Sequence, residues 1–315
     1  MARTPEQIAR QWEAMGDRRR NMAAEIQTNE QDRVIRPGEL TFTEEWAGTR
    51  VERITSKYGN DRVYAIDGLG EYRSVTSSLS IVNKPALADW RKNQALGAMH
   101  EMLKDPKAPA QYQKMADEKN AKARIHKNNT WVSMMVEDAK KAPNQRMNET
   151  RDFGNQAHEL IEHILLGDNG YEVTKPYAHI AEGFQMWQRD SGLRVVATEI
   201  MVWHPHFEYA GTIDMVCRRV GGSNDGALAV ADTKTGGIYN ESAMQLAAYA
   251  KALEFLTGEE VPEAWALQLP RERNPEEPDS FYEAHRLEDM PHWLDAFMQA
   301  HLLTPMMERE AWQIT

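Results

Sequence analysis

Apolar residues recur along the second half of the chain at two different spacings. Leu193 to Trp203 (LRVVATEIMVW) and Tyr209 to Arg218 (YAGTIDMVCR) are short, rich in β-branched residues and densely apolar, and read as strands. Gly221 and Gly222 open a loop, and Ala227 to Thr235 reads as a third strand. Asn240 to Leu256 is an alanine-rich helix, Glu263 to Leu269 a further strand, and Glu288 to Leu302 a closing helix. Ahead of these, Gly154 to Leu166 sets Ala157, Leu160, Ile161, Ile164 and Leu165 along one helical side, and Tyr177 to Arg189 forms a second helix.

The first half is more polar. Thr4-Pro5-Glu6-Gln7 forms a capping box with proline at the first helical position. Ile8, Trp12, Met15, Met22 and Ile26 follow at near-heptad spacing, as in a helix packed on its own domain or against a partner helix. Residues 28 to 50 look like a linker. Arg62 to Ile66 and Tyr72 to Val75 flank Gly68 and Gly70 as a hairpin. Lys84-Pro85 opens a helix to about Leu103, a lysine-dotted segment follows, and another helix covers roughly Thr130 to Lys141. Three consecutive strands, a helix and a further strand predict an α/β domain, a central mixed β-sheet flanked by helices, at 51–315. Residues 1–50 would form a helical N-terminal extension and linker.

Of the 315 residues, 41% are hydrophobic and 27% charged, close to the globular average. Cys217 is the single cysteine, which excludes internal disulfides and sites built from several thiolates. No apolar run approaches the ~18 residues of a membrane span, so the expectation is a soluble, cytoplasmic protein with no membrane partner. The net charge of −11 excludes a general polyanion binder; any contact with nucleic acid needs a local patch or bound cations.

Two carboxylates stand out against that background. Asp214 lies within GTIDMV, and Asp232 lies in VADTKTGG at the end of the next strand. Paired as a hairpin, the strands bring them together, and convergent carboxylates suit a hard divalent cation such as Mg²⁺. Lys234 is two residues beyond Asp232 and shares its face. A cation there can hold an attacking water or stabilise charge growing on a phosphate. An acid and a lysine so spaced are also common as a plain surface ion pair. Further residues add to the pattern: Gln245 and Tyr249, and His158 and Glu162, each one helical turn apart, and Glu199 in the strand before Asp214. Each alone has an ordinary structural reading.

The stretches GNQAHELIE (154–162), TEIMV (198–202), YAGTIDMV (209–216), AVADTKTG (229–236) and QLAAY (245–249), in that order, resemble the PD-(D/E)XK nuclease superfamily, in its RecB-like and lambda-exonuclease-like branch. YRSVTSSLSIVNKPALADW, at 72–90, also looks like the N-terminal part of phage-borne members. Ile213 stands where many members have proline, but this branch commonly has G-x-x-D. The resemblance implies a restriction-endonuclease-like core and a Mg²⁺- or Mn²⁺-dependent DNA exonuclease, with two ions, serving phage or bacterial recombination, replication or repair. It implies metal ligation by Asp214, Asp232, His158, Glu199 and the carbonyl of Thr233, and water orientation by Lys234. Gln245 and Tyr249 would position the DNA backbone, and Arg73, Ser77 and Ser78 would form a phosphate-holding turn. DNA is the implied partner, with a single-strand annealing or recombination protein and a homo-oligomer also expected. Relatives with a four-cysteine iron–sulfur cluster fit poorly, since this chain has only Cys217. A structure-specific endonuclease and a non-catalytic DNA-binding recombination partner on the same fold are the alternatives. Three features stay open: His204 and His206 as loop histidines or zinc ligands, Lys114 to Lys127 with Lys140 and Lys141 as a backbone-binding patch or a solvated helix face, and Arg271 and Arg273 as phosphate contacts or turn charges.

Overall fold

The computed structural model describes residues 50–55, 62–82, 84–122, 129–167, 173–273 and 281–307. The expected N-terminal helix lies outside them. The strands are β1 (Val51–Thr55), β2 (Arg62–Ile66), β3 (Gly70–Ser74), β4 (Leu193–His204), β5 (Tyr209–Arg219), β6 (Leu228–Lys234), β7 (Glu263–Gln268) and β8 (Glu283–Arg286). The helices are α1 (Val75–Ser78), α2 (Pro85–Lys104), α3 (Ala108–Lys122), α4 (Trp131–Ala139), α5 (Ala142–Leu165), α6 (Ala178–Asp190), α7 (Asn240–Thr257) and α8 (Met290–Met307). The described residues fall into two compact units: those between 50 and 82 together with those from 156 to 307, and those between 84 and 155.

The first unit holds the expected mixed sheet. Eight strands run β1-β2-β3-β5-β6-β7-β8, with β4 paired to the other edge of β5. β3 and β5 are parallel, as are β6 and β7, and the other pairs are antiparallel. β6 is buried along its whole length except Lys234, which explains the apolar run Leu228 to Ala231 that opens it. A parallel return from β6 to β7 needs a long crossover, and α7 supplies it. The alanines of α7 let it sit low on the sheet, where Leu246, Leu253 and Phe297 of α8 join Val216, Val230 and Ala266 in one core. α6 buries Ile180, Phe184 and Trp187.

The second unit is helical. Thr130 and Ser133 form a capping box that starts α4. Ala116 of α3 and Met135 of α4 are fully buried.

The serines assigned to phosphate capture do something else. Ser74 caps α1, accepting from the Ser77 amide at 3.0 Å and donating to Ser77 Oγ at 2.9 Å. Ser78 is completely buried, its Oγ 3.0 Å from Ser74 O and 2.8 Å from His301 Nδ1. His301 Nε2 lies 2.8 Å from Phe207 O. Facing a carbonyl, Nε2 carries the proton, so the single Ser78 hydroxyl proton is shared between His301 Nδ1 and the Ser74 carbonyl. Both hydroxyls therefore tie the β3–α1 turn into the fold, Ser78 through α8, rather than presenting an anion site. Arg73, paired with Val63 and Tyr209 on β3, is half-buried.

Candidate metal centre and active site

The β5–β6 ladder runs from Arg218↔Leu228 to Met215↔Ala231 and stops there. One step further, Asp214 and Asp232 would stand directly opposite each other. Instead the strands part, and the Thr233 amide donates to Asp214 Oδ2 at 2.8 Å. β3 shares this edge of β5 but pairs only at Tyr209 and Ala210. The stretch from Gly211 to Asp214 is thus left without a ladder partner on that edge, and a side chain there can face chemistry rather than a neighbouring strand.

On the other edge, β4 pairs with β5 on both sides of the site, through Thr198↔Met215 and Ile200↔Ile213. Between them Glu199, across from Asp214, has φ of 53°. A non-glycine residue in that region costs on the order of 1–3 kcal/mol and marks a position held by its surroundings for a reason. Thr198 Oγ1 steadies the same spot, donating to the Asp214 carbonyl at 2.9 Å. The strain accompanies a grouping: ligand atoms of His158, Glu199 and Asp214 all lie within 4.8 Å of one another. His158 arrives from α5, whose Ala157, Leu160 and Ile161 are buried and fix the helix in place. Its Nδ1 lies 3.4 Å from Asp214 Oδ2. These three residues can hold a metal ion.

Asp232 stands apart from that group, in a polar chain of its own. Its Oδ2 is 2.5 Å from Lys234 Nζ, and its Oδ1 accepts from Gln245 Nε2 at 3.3 Å. Lys234 Nζ also donates to Gln245 Oε1 at 3.3 Å, and Gln245 Nε2 lies 3.0 Å from Tyr249 Oη. Sequence reasoning set Gln245 and Tyr249 against the DNA backbone; within the fold they brace Asp232 and Lys234. Tyr249 is buried, with its ring against Gly211, where any Cβ would collide with it. Glycine at 211 is therefore a packing requirement of the site. Tyr64 Oη and Thr212 Oγ1, 2.9 Å apart, are a further neighbouring pair that sequence reasoning missed.

Crowded acids in a half-dry site resist ionisation. Burial, then the charge of Asp214, pushes the Glu199 carboxyl up to about 7. Burial also raises Asp232, to about 6, against the pull of Lys234 and with the added push of Asp214. Burial works against the Lys234 ammonium, but Asp232 and Asp214 outweigh it and hold its pKa above the ordinary value. Lys234 is thus a permanent cation, suited to orienting and stabilising and not to taking a proton. Burial pushes the Tyr249 phenol well up, so it stays protonated.

The residues fit a divalent cation. One imidazole and two carboxylates are the donor types such ions take. Asp232 Oδ2 is buried and is held by the Lys234 ammonium 2.5 Å away.

His204, Arg271 and Arg273 each make a contact within the fold. His204 is buried in aromatic packing, stacked on Phe207 with ring centroids 4.4 Å apart and tilted on Phe255 at 4.7 Å. Among the described residues, the group of three or more ligand side chains that could hold a metal is His158, Glu199 and Asp214, and it does not include His204 or His206. The Arg273 guanidinium lies 4.0 Å above the Phe281 ring. The Arg271 amide lies 3.2 Å from the Thr235 carbonyl.

No family model matches this sequence, and a search of curated proteins finds no match. Among the described residues, no helix is long and apolar enough to cross a membrane.

Proposed function

We propose that the protein is a divalent-metal-dependent deoxyribonuclease that hydrolyses phosphodiester bonds from DNA ends. The observation that carries this reading is the metal-competent group of His158, Glu199 and Asp214, whose Asp214 stands where β5 parts from β6, the strand that carries the buried Asp232–Lys234 pair. The resemblance of the motifs to PD-(D/E)XK nucleases supports it independently of the geometry.

Asp214, His158 and Glu199 would hold Mg²⁺ or Mn²⁺, with Asp232 as a third strand-borne carboxylate. Such an ion, when bound, acidifies a water and offsets charge on the phosphate. The chain's own groups do the rest. The Thr233 amide holds Oδ2 of Asp214, the oxygen that also faces His158, and so fixes the carboxylate in place. Lys234 orients the attacking water and stabilises the charge that grows on the phosphoryl oxygens. Gln245 bridges Asp232 and Lys234 and fixes their spacing, and Tyr249 backs Gln245. A mere DNA-binding surface has no use for a strained glutamate or a buried acid–lysine pair, which favours catalysis.

End dependence rests on the likeness to lambda exonuclease. Linear duplex is expected to be degraded while covalently closed circles survive. Faster loss of 5′-phosphate ends than of 5′-hydroxyl ends, abolished by Arg73→Ala, is the expected signature of end capture. Equal rates on circles and linear DNA would make the protein an endonuclease.

A further inference from the structure

Charge is shared unequally between the two units. Residues 83–155 contain 14 Lys and Arg against 9 Asp and Glu, and the rest of the chain contains 23 against 39. The helical unit is therefore at +5 inside a chain at −11, and the remainder is at −16.

Local pairing does not cancel the surplus. Six of the nine acids are taken up in ion pairs with six of the cations, Glu137 with Lys119 and Asp138 with Lys141 among them. That removes Lys119 and Lys141 from the patch that the sequence left open. Among the described residues, Arg91, Lys107, Lys114, Lys122 and Lys140 have no carboxylate partner. The four lysines are exposed. Arg91 is held instead by neutral acceptors, Asn144 Oδ1 at 2.8 Å and Met147 Sδ at 3.0 Å. Its direction is fixed while its charge stays uncancelled.

The placement fits an extended polyanion better than a small one. Lys107 and Lys122 bracket α3, about 22 Å apart at 1.5 Å per residue. That spans about six nucleotides of one strand at 3.4 Å each. α3 and α4 run antiparallel, since Asn120 meets Asn129 at one end while Tyr112 feels Asp138 and Lys141 at the other. Lys140, just after α4, thus returns to the end where Lys107 stands.

We propose that the helical unit is the surface that binds the DNA backbone, with Arg91, Lys107, Lys114, Lys122 and Lys140 contacting phosphates. The choice of DNA as the polyanion rests on the nuclease reading. The unit answers a physical difficulty of that reading, because a body at −16 repels DNA unless cations gathered elsewhere hold it.

The test uses the full chain carrying Asp214→Asn, so that bound DNA is not consumed. Binding of labelled duplex is measured against salt, with and without glutamine at the five positions. The glutamine variant should bind at least ~10-fold more weakly at low salt. The slope of log affinity against log salt should shrink by at least ~2, since each lost phosphate contact removes about 0.9. Melting temperature should not change. A folded variant with the same affinity and slope overturns the proposal; if five changes disturb folding, Lys107→Gln, Lys114→Gln and Lys122→Gln together serve the same purpose. The two readings fail separately. Wild-type chain that cleaves DNA, beside a glutamine variant that binds normally, sinks only this proposal. Salt-dependent DNA binding lost in the variant, with no cleavage by wild type, sinks only the nuclease reading.

Discussion

Asp232→Asn is expected to lower the cleavage rate at least ~1000-fold while the protein stays folded. The rate loss is the upper end of what one preorganised electrostatic contact typically contributes, and here the acid would also serve as a ligand. The stability expectation has a separate cause. Asp232 is 2% exposed, and burial raises its carboxyl to about 6, so the fold resists its charge. Asparagine keeps an oxygen for the Gln245 amide to donate to. Lys234 loses one counter-charge but keeps the attraction of Asp214. Melting temperature should therefore fall by no more than a few degrees, or rise, as is common when a site tuned for chemistry is neutralised. Unchanged turnover in a folded Asp232→Asn protein would remove Asp232 from the mechanism.

Lys234→Ala is expected to lower turnover at least ~100-fold and to leave DNA affinity largely intact. The ammonium is held between Asp232 Oδ2 and Gln245 Oε1, so it is fixed in place before any substrate arrives. A preorganised charge of this kind acts mainly on the transition state, so its loss should appear in kcat and not in KM. Loss of binding at constant turnover would make Lys234 a phosphate anchor instead.

The central strands were legible because they carry both signals that a sequence can show, dense apolar runs and glycines at their turns. The observed bounds of β4, β5 and β6 fall within a residue of the expected ones. α3 was not legible. Its sequence APAQYQKMADEKNAK buries only Ala108 and Ala116, so no apolar stripe announces it, and its helix-forming residues carry it with the packing of α4. The first half of α5, from Ala142 onward, is polar for the same reason. β8 is exposed at all four residues and exists through its pairing with β7.

At the site, strand parity alone puts Asp232 and Lys234 on one face, and helical spacing puts Gln245 over Tyr249. The left-handed backbone of Glu199 has no mark in the sequence, because glutamate does not advertise a positive φ. The reassignment of Ser78 depends on His301, 223 residues away, and only the folded chain shows that contact.

The central claim is that a metal held by Asp214 and its neighbours drives phosphodiester hydrolysis. End-labelled linear DNA, incubated with wild type and with Asp214→Asn across a titration of Mg²⁺ or Mn²⁺ and in excess chelator, tests it most directly. The account predicts cleavage by wild type that rises with metal, stops in chelator and is absent from Asp214→Asn at every metal concentration. Full cleavage in chelator, or by folded Asp214→Asn, would contradict it.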